Sequence, residues 1–210
     1  MLPQPLLRGR RRPRVALVGH PRTGKSSLFL AASSAAPQHG VLRPGEGYDE
    51  CVVDIGLEQI SLVDLPAVDS LHSPGTRDVM LLKYLLWGDR WSPVAARQDD
   101  LPTRPFGAPE VLIHVVDATA LQRDLELSLE LVLLGKPLLI ALNHVDEARR
   151  KGIYVNTRAL AEQLGVPVLP TVAHMGIGVG NLFAAALEVA RAQVLPQVRT
   201  PGPHLAAALE

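Results

Sequence analysis

The sequence predicts an α/β fold: a mostly parallel six-stranded sheet with one antiparallel edge strand and helices on both faces. Three observations predict it. Apolar strand-like runs alternate with helix-like runs, the pattern of parallel strands joined by crossover helices. The stretch Gly19-His-Pro-Arg-Thr-Gly-Lys25-Ser26 fits G-x-x-x-x-G-K-[ST] at every fixed position and falls between a strand-like run and a helix-like one. The run at 51–63, with Gly56 near its middle, reads as a hairpin, so one strand at that edge runs antiparallel.

The elements follow in order. Positions 15–18 are a short buried strand and 25–34 the first helix. Between them the glycines let the backbone curl, so successive N–H groups point inward at phosphate oxygens, and the helix N-terminus adds its positive end. Gly19, His20, Pro21, Arg22, Thr23, Gly24, Lys25, Ser26 and Ser27 are therefore nucleotide-binding candidates. Lys25 reaches the outer phosphates, and the Ser26 hydroxyl is a Mg²⁺ ligand. Positions 37–48, rich in glycine and proline, read as irregular and as a cover for the nucleotide. Strands follow at 51–55 and 60–63. Asp64, at the tip of the latter, is the second metal candidate, holding Mg²⁺ through water. A helix is expected at 78–86. The segment 88–109 exceeds the roughly 12–15 residues of ordinary structureless loops; Trp87 just before it and Trp91 within it pack either on the domain or on a partner.

A strand at 111–116, a helix at 121–134 and a strand at 138–142 come next. Asn143-His144-Val-Asp146 follows that strand. A carboxylate at Asp146 accepts from guanine N1–H and its exocyclic amine, a donor pair that adenine lacks; Asn143 braces the site. A helix at 157–164, a strand at 166–169 and a helix at 181–194 complete the pattern. Gly135 and Gly165 stand where helices stop, each followed closely by proline. Thr171, Val172 and Ala173 stand where a backbone N–H meets guanine O6. With the phosphate loop and both strand-tip motifs in order, the fold class sharpens to a P-loop GTPase (Ras-like) fold.

Composition narrows the field further. With 21 basic and 21 acidic residues the net charge is zero, which argues against a nucleic-acid partner and against a ribosome- or tRNA-associated GTPase. One cysteine, Cys51, excludes a disulfide framework, suits a reducing compartment and reads as buried packing. No apolar run approaches the roughly 18 residues of a membrane span. Residues 1–13 form a basic tail containing Arg8, Arg10, Arg11 and Arg12, which meets either solvent or an acidic or lipid surface. The globular domain is expected at 14–195. Residues 196–210 form a second tail, whose end (205–210) resembles an expression-vector remnant. His20, His144 and His174 match no metal-ligand spacing. Nothing speaks for or against self-association.

Three segments carry a closer resemblance. They are Val115-Val-Asp-Ala-Thr-Ala-Leu-Gln-Arg-Asp-Leu-Glu-Leu-Ser-Leu129, the run from Leu134 through Asn143-His-Val-Asp146-Glu-Ala-Arg-Arg-Lys-Gly-Ile153, and Leu164-Gly-Val-Pro-Val-Leu-Pro-Thr-Val-Ala173. They resemble ferrous iron transport protein B, FeoB, over residues 14–194 and most closely over 111–182. The resemblance implies the cytoplasmic G domain that precedes a helical domain and a membrane permease, with GTP/GDP and Mg²⁺ as ligands. The partner it implies is the permease domain of the parent protein or a separate membrane protein. It implies GTP hydrolysis that gates or drives Fe²⁺ uptake. The catalytic candidates are Lys25 and, at positions that depart from the family pattern, Arg22 and Ala67.

Four departures from the family pattern bear on rate. Arg22 stands where the family has a potassium-binding asparagine, and arginine has no acceptor atom; it either supplies positive charge itself or points to solvent. Gly47 stands at the position of the first-switch threonine, and no threonine lies between Thr23 and Thr76. Ala67 and Val68 replace the glycine and polar residue of the second switch. The long 88–109 segment is the fourth. Binding is thus expected intact and hydrolysis weak and unstimulated by potassium. The alternative is a regulatory module that binds GDP and GTP with negligible turnover.

Overall fold

The computed structural model describes residues 12–43, 46–71, 76–88 and 107–196. Most of the 88–109 segment with Trp91, the tail residues Arg8, Arg10 and Arg11, positions 44 and 45, and 197–210 lie outside the described residues. Strands are β1 (Arg14–Val18), β2 (Gln38–Arg43), β3 (Glu46–Ile55), β4 (Glu58–Asp64), β5 (Val111–Asp117), β6 (Leu138–Asn143) and β7 (Val168–Pro170). Helices are α1 (Lys25–Ala32), α2 (Thr76–Trp87), α3 (Leu121–Leu133), α4 (Val145–Arg150), α5 (Thr157–Leu164) and α6 (Val179–Ala192).

The strand order is β2-β3-β4-β1-β5-β6-β7. β4, β1, β5, β6 and β7 run parallel, and β3 pairs antiparallel with β4 and β2. The α/β class with a mostly parallel sheet is as expected, but the sheet has seven strands rather than six. The antiparallel strand lies one place in from the edge, because β2 covers it. Strand alternation divides the core. Val15 and Leu17 face α1 and α6 with Leu28, Phe29, Leu182 and Phe183. Ala16 and Val18 face the other layer with Tyr84, Leu85, Leu127 and Leu131.

β2 occupies a segment that reads as irregular, and the reason is physical. Gly40 pairs with Tyr48, and a Cβ on Gly40 would lie 2.3 Å from Tyr48 Cζ. The ring of His39 lies over Gly47 in the same way, where a Cβ would be 2.6 Å from its Cε1. Each glycine makes room for a cross-strand ring, which is how glycine is used in a strand when another group approaches closely. α4 was also unforeseen; of its residues only Ala148 is buried, so it carries no apolar period. Its acidic first turn is the remaining signal: Asp146 and Glu147 pair with Arg150 at 3.2 Å and Lys151 at 2.8 Å, contacts to exposed partners that contribute little each. α5 begins where the Asn156 side chain accepts from Ala159 N and ends at Gly165, whose φ of 66° only glycine adopts without strain.

Parallel order gathers the carboxyl ends of β1, β4, β5 and β6 along one edge. The loops after them form the concavity that such sheets use for ligands. At the opposite end a cavity of about 1050 Å³ is lined by Arg12, Asp54, Leu57, Glu58, Gln59 and Arg191; none of the motifs reaches it. Among the described residues no helix is long and apolar enough to cross a membrane.

Candidate functional site

The loop after β1 is closed from within. Lys25, 7% exposed, donates from Nζ to the carbonyls of Gly19 at 2.9 Å and His20 at 3.2 Å. Thr23 is fully buried and its hydroxyl donates to His20 O at 3.0 Å. Pro21, Arg22, Ser26 and Ser27 are exposed, and Arg22 sits at φ 65°, a left-handed conformation unusual for arginine. Burial pulls the Lys25 ammonium below the ordinary lysine range, while the Asp64 and Asp124 carboxylates oppose that shift. Gly24 caps α1 at φ 90°, and a Cβ there would lie 2.2 Å from Asn143 Nδ2. No other residue fits that point.

Asp64 ends β4 beside the start of α1, and Ser26 Oγ donates to its Oδ2 at 2.7 Å. Its other oxygen, Oδ1, is buried without a hydrogen-bond partner. A hydroxyl and a carboxylate with a spare oxygen are the hard donors Mg²⁺ takes, so these two residues fit that ion. Burial pushes Asp64 above the usual carboxylate range, against the Ser26 hydrogen bond and the Lys25 charge; Asp49, its cross-strand neighbour, adds to the rise. The fold therefore holds the Asp64 proton more tightly than the unfolded chain does. Its contribution favours the fold below the unfolded value and is lost as pH rises through the folded one. The ionised group thus costs stability at neutral pH. Asp64→Asn raises the melting temperature of the nucleotide-free protein at pH 7, by an amount that shrinks toward roughly pH 4, where the carboxyl protonates in both states. Calorimetric melts across that range check it.

Asn143, fully buried at the end of β6, ties three loops together. Its Nδ2 donates to Thr23 O at 3.0 Å; its Oδ1 accepts from Ala173 N at 3.0 Å and from Thr171 Oγ1 at 3.2 Å. Thr171, Val172 and Ala173 are all buried in the loop after β7. Asp146 stands in the first turn of α4. Its Oδ2 accepts from Arg150 at 3.2 Å, and its Oδ1 is buried and unpartnered. His144, at φ 61°, opens that helix with Nδ1 3.4 Å from Asp117 Oδ1. The structure thus brings Lys25, Ser26, Asp64, Asn143, Asp146 and the 171–173 loop to one edge. Gly47 stands apart in β3, beneath the His39 ring, while Ala67 follows Asp64 by three residues.

Sequence reading missed a set of buried polar groups behind the phosphate loop. Asp124 on α3 is fully buried; its Oδ2 accepts from Asp117 N at 2.7 Å and its Oδ1 from Arg123 Nε at 2.8 Å. His114, within β5, is fully buried with Nδ1 3.0 Å from Ser128 Oγ. Burial, with the nearby His20 and Lys25 charges, pushes His114 down to about 3, so it is neutral at physiological pH. Glu130 accepts from Ser70 Oγ at 2.7 Å and Leu71 N at 2.5 Å. The available signal was Asp124 and Ser128 lying on the same helical face as the buried Leu127 and Leu131.

The family model for ferrous iron transport protein B matches residues 104–186. The Fe(2+) transporter FeoB of Helicobacter pylori (strain J99) is 37% identical over 162 residues, 76% of this chain and 22% of its own length. The G domain of FeoB from Methanococcus jannaschii is similar in structure, with TM-score 0.66 and 29% identity over 86% of this chain and 98% of that one. The chain belongs with the G domains of FeoB. A mutant NFeoB of S. thermophilus bound to GDP gives TM-score 0.73 and 28% identity over 94% of this chain and 69% of that one. As an FeoB G domain the chain shares their Ras-like P-loop fold. It spans about a fifth of the length of the curated FeoB relatives it matches.

Proposed function

We propose that this domain binds GDP and GTP with Mg²⁺, hydrolyses GTP slowly, and serves as the cytoplasmic nucleotide-binding part of a ferrous-iron transporter. The observation that carries the reading is the unpartnered, buried Oδ1 of Asp146, three residues beyond Asn143, whose Nδ2 donates to Thr23 O in the loop that holds Lys25. A buried carboxylate oxygen with no donor is costly unless a ligand supplies one. Guanine supplies two donors, N1–H and the exocyclic amine; adenine presents an acceptor and no amine there. The S. thermophilus relative bound to GDP supports the same assignment.

In this reading Lys25 leaves the loop carbonyls to meet the outer phosphates, and the backbone N–H groups of the loop, Pro21 having none, surround them. Ser26 and Asp64 hold Mg²⁺, which supplies charge neutralisation on the phosphates when bound. Ala67 offers its N–H to the terminal phosphate. Arg22 stands at the loop's outer face, where a guanidinium supplies fixed positive charge and no acceptor for a cation. Hydrolysis therefore proceeds at the same rate in potassium and sodium salts. Phosphate release assayed in the two salts checks this, and strong potassium stimulation would contradict the role of Arg22. Titration with fluorescent GDP, GTP and ATP analogues tests the main reading: adenine analogues binding as tightly as guanine ones would refute it.

A second reading has one observation in its favour. The position matched to the first-switch threonine is Gly47, paired within the β2–β3 ladder. A domain lacking that ligand would bind nucleotide, turn over negligibly, and act by docking to a membrane permease or a separate membrane partner. Equal affinity for GDP and a non-hydrolysable GTP analogue supports this reading, because equal affinity shifts no conformational equilibrium.

A further inference from the structure

We propose that His20 is a positioning residue: its imidazole clamps the segment after Asp64 onto the phosphate loop and so sets the rate of hydrolysis. The kinetic half of this inference rests on the hydrolysis proposed above; the clamp does not. His20 lies in the loop itself, yet the residue is 6% exposed and its side chain is engaged elsewhere. Nε2 lies 2.9 Å from the carbonyl oxygen of Asp69. A carbonyl only accepts, so Nε2 carries the proton and donates. On the other side Nδ1 lies 2.9 Å from Asp124 Oδ1, an ion-pair distance outside hydrogen-bond alignment. Asp124 is immobilised by Asp117 N and Arg123 Nε. The imidazole is therefore seated against a fixed carboxylate on α3, and its other nitrogen holds the segment after β4.

That segment has further ties, the Ser70 hydroxyl on Glu130 among them. Val68 N donates to Gly19 O at 3.3 Å, a long bond, and Leu71 N donates to Glu130 at 2.5 Å. Between these two points the Asp69 carbonyl is the attachment that runs to the phosphate loop. Ala67 lies two residues upstream, so a shift at Asp69 carries its N–H with it. Misplacement of a reacting or stabilising group by about 1 Å can cost about 10²-fold in rate.

Two polar substitutions separate the ring's two ends. His20→Gln places an amide donor near the reach of Nε2 and keeps the bond to Asp69. His20→Asn places it near Nδ1, facing Asp124, and falls short of Asp69. Amide hydrogen exchange is measured on the protein without added nucleotide, with the β5 amides as the internal reference for folding. Val68 and Leu71 exchange about tenfold faster in His20→Asn than in the parent, and His20→Gln recovers most of the protection. In steady-state GTP hydrolysis, kcat falls about tenfold in His20→Asn while KM and the GDP Kd shift by less than threefold, and Gln again recovers most of the loss. Equal exchange in the parent, Asn and Gln proteins would overturn the clamp. Loss of GDP affinity in step with kcat would overturn the positioning role, since His20 would then serve the loop's own shape. A parent protein without measurable turnover, in which Asn and Gln still differ in exchange, overturns the kinetic half and supports the clamp.

Discussion

Asp146→Ala weakens GDP binding by about 10²–10⁴-fold and leaves the fold intact. Two hydrogen bonds to a charged acceptor are worth about 1.5–3 kcal/mol each, and every 1.4 kcal/mol is tenfold in affinity. The protein tolerates the loss because Asp146 makes little of its own structure: one 3.2 Å contact to an exposed arginine, on a six-residue helix whose one buried residue is Ala148. Removing the carboxylate also removes an uncompensated buried oxygen, so the nucleotide-free protein melts no lower than the parent. Asp146→Asn makes the sharper test. Its amide offers one acceptor and one donor, which matches xanthine, where a carbonyl replaces the exocyclic amine. Calorimetric titration with GDP and xanthosine diphosphate then shows preference reversed rather than merely lost. A variant that keeps the parent's GDP affinity would show that base recognition lies elsewhere in the site.

Much of this was legible in the sequence, for identifiable reasons. β1, β5 and β6 are buried on both faces and so read as continuous apolar runs, and α3 and α6 carry clear helical periods. Gly135 and Gly165 marked helix ends because glycine takes their positive φ at no steric cost. β2 was illegible because its signal is relational: Gly40 and Gly47 are strand residues only in view of Tyr48 and His39 across the ladder. α4 was illegible because Ala148 is its one buried residue, so it shows no apolar period. At the candidate site, residues that fall within a contiguous motif stood out: Lys25, Ser26, Asp64, Asn143 and Asp146. The buried Asp124 and His114 did not, since their partners lie on other elements and no local spacing announces them. The same limit hid the second role of His20, which follows from a carbonyl 49 residues away.

Asn143→Ala destabilises the whole domain, and by more than any other single change at the site. The side chain is fully buried and satisfies groups on two other segments: Thr23 in the phosphate loop, and Thr171 and Ala173 after β7. Truncation leaves the Thr23 carbonyl and the Ala173 N–H buried without partners, at about 1–3 kcal/mol each, and opens a cavity beside Gly24. The sum is about 3–5 kcal/mol, large against the roughly 5–15 kcal/mol that holds an ordinary domain. For a domain of this size that lowers the melting temperature by roughly 6–20 °C, with the denaturant slope unchanged if the native state stays compact. Asn143→Asp gives no rescue. It keeps the acceptor for Ala173 but turns a carboxylate oxygen toward the Thr23 carbonyl, so a donor is lost and a buried charge gained. Nucleotide affinity should fall in both variants even at temperatures where they are folded, because the brace that sets the phosphate loop against the base-binding loop is gone. If Asn143→Ala melts like the parent while GDP binding disappears, Asn143 acts on the ligand directly and the bracing role described here is wrong.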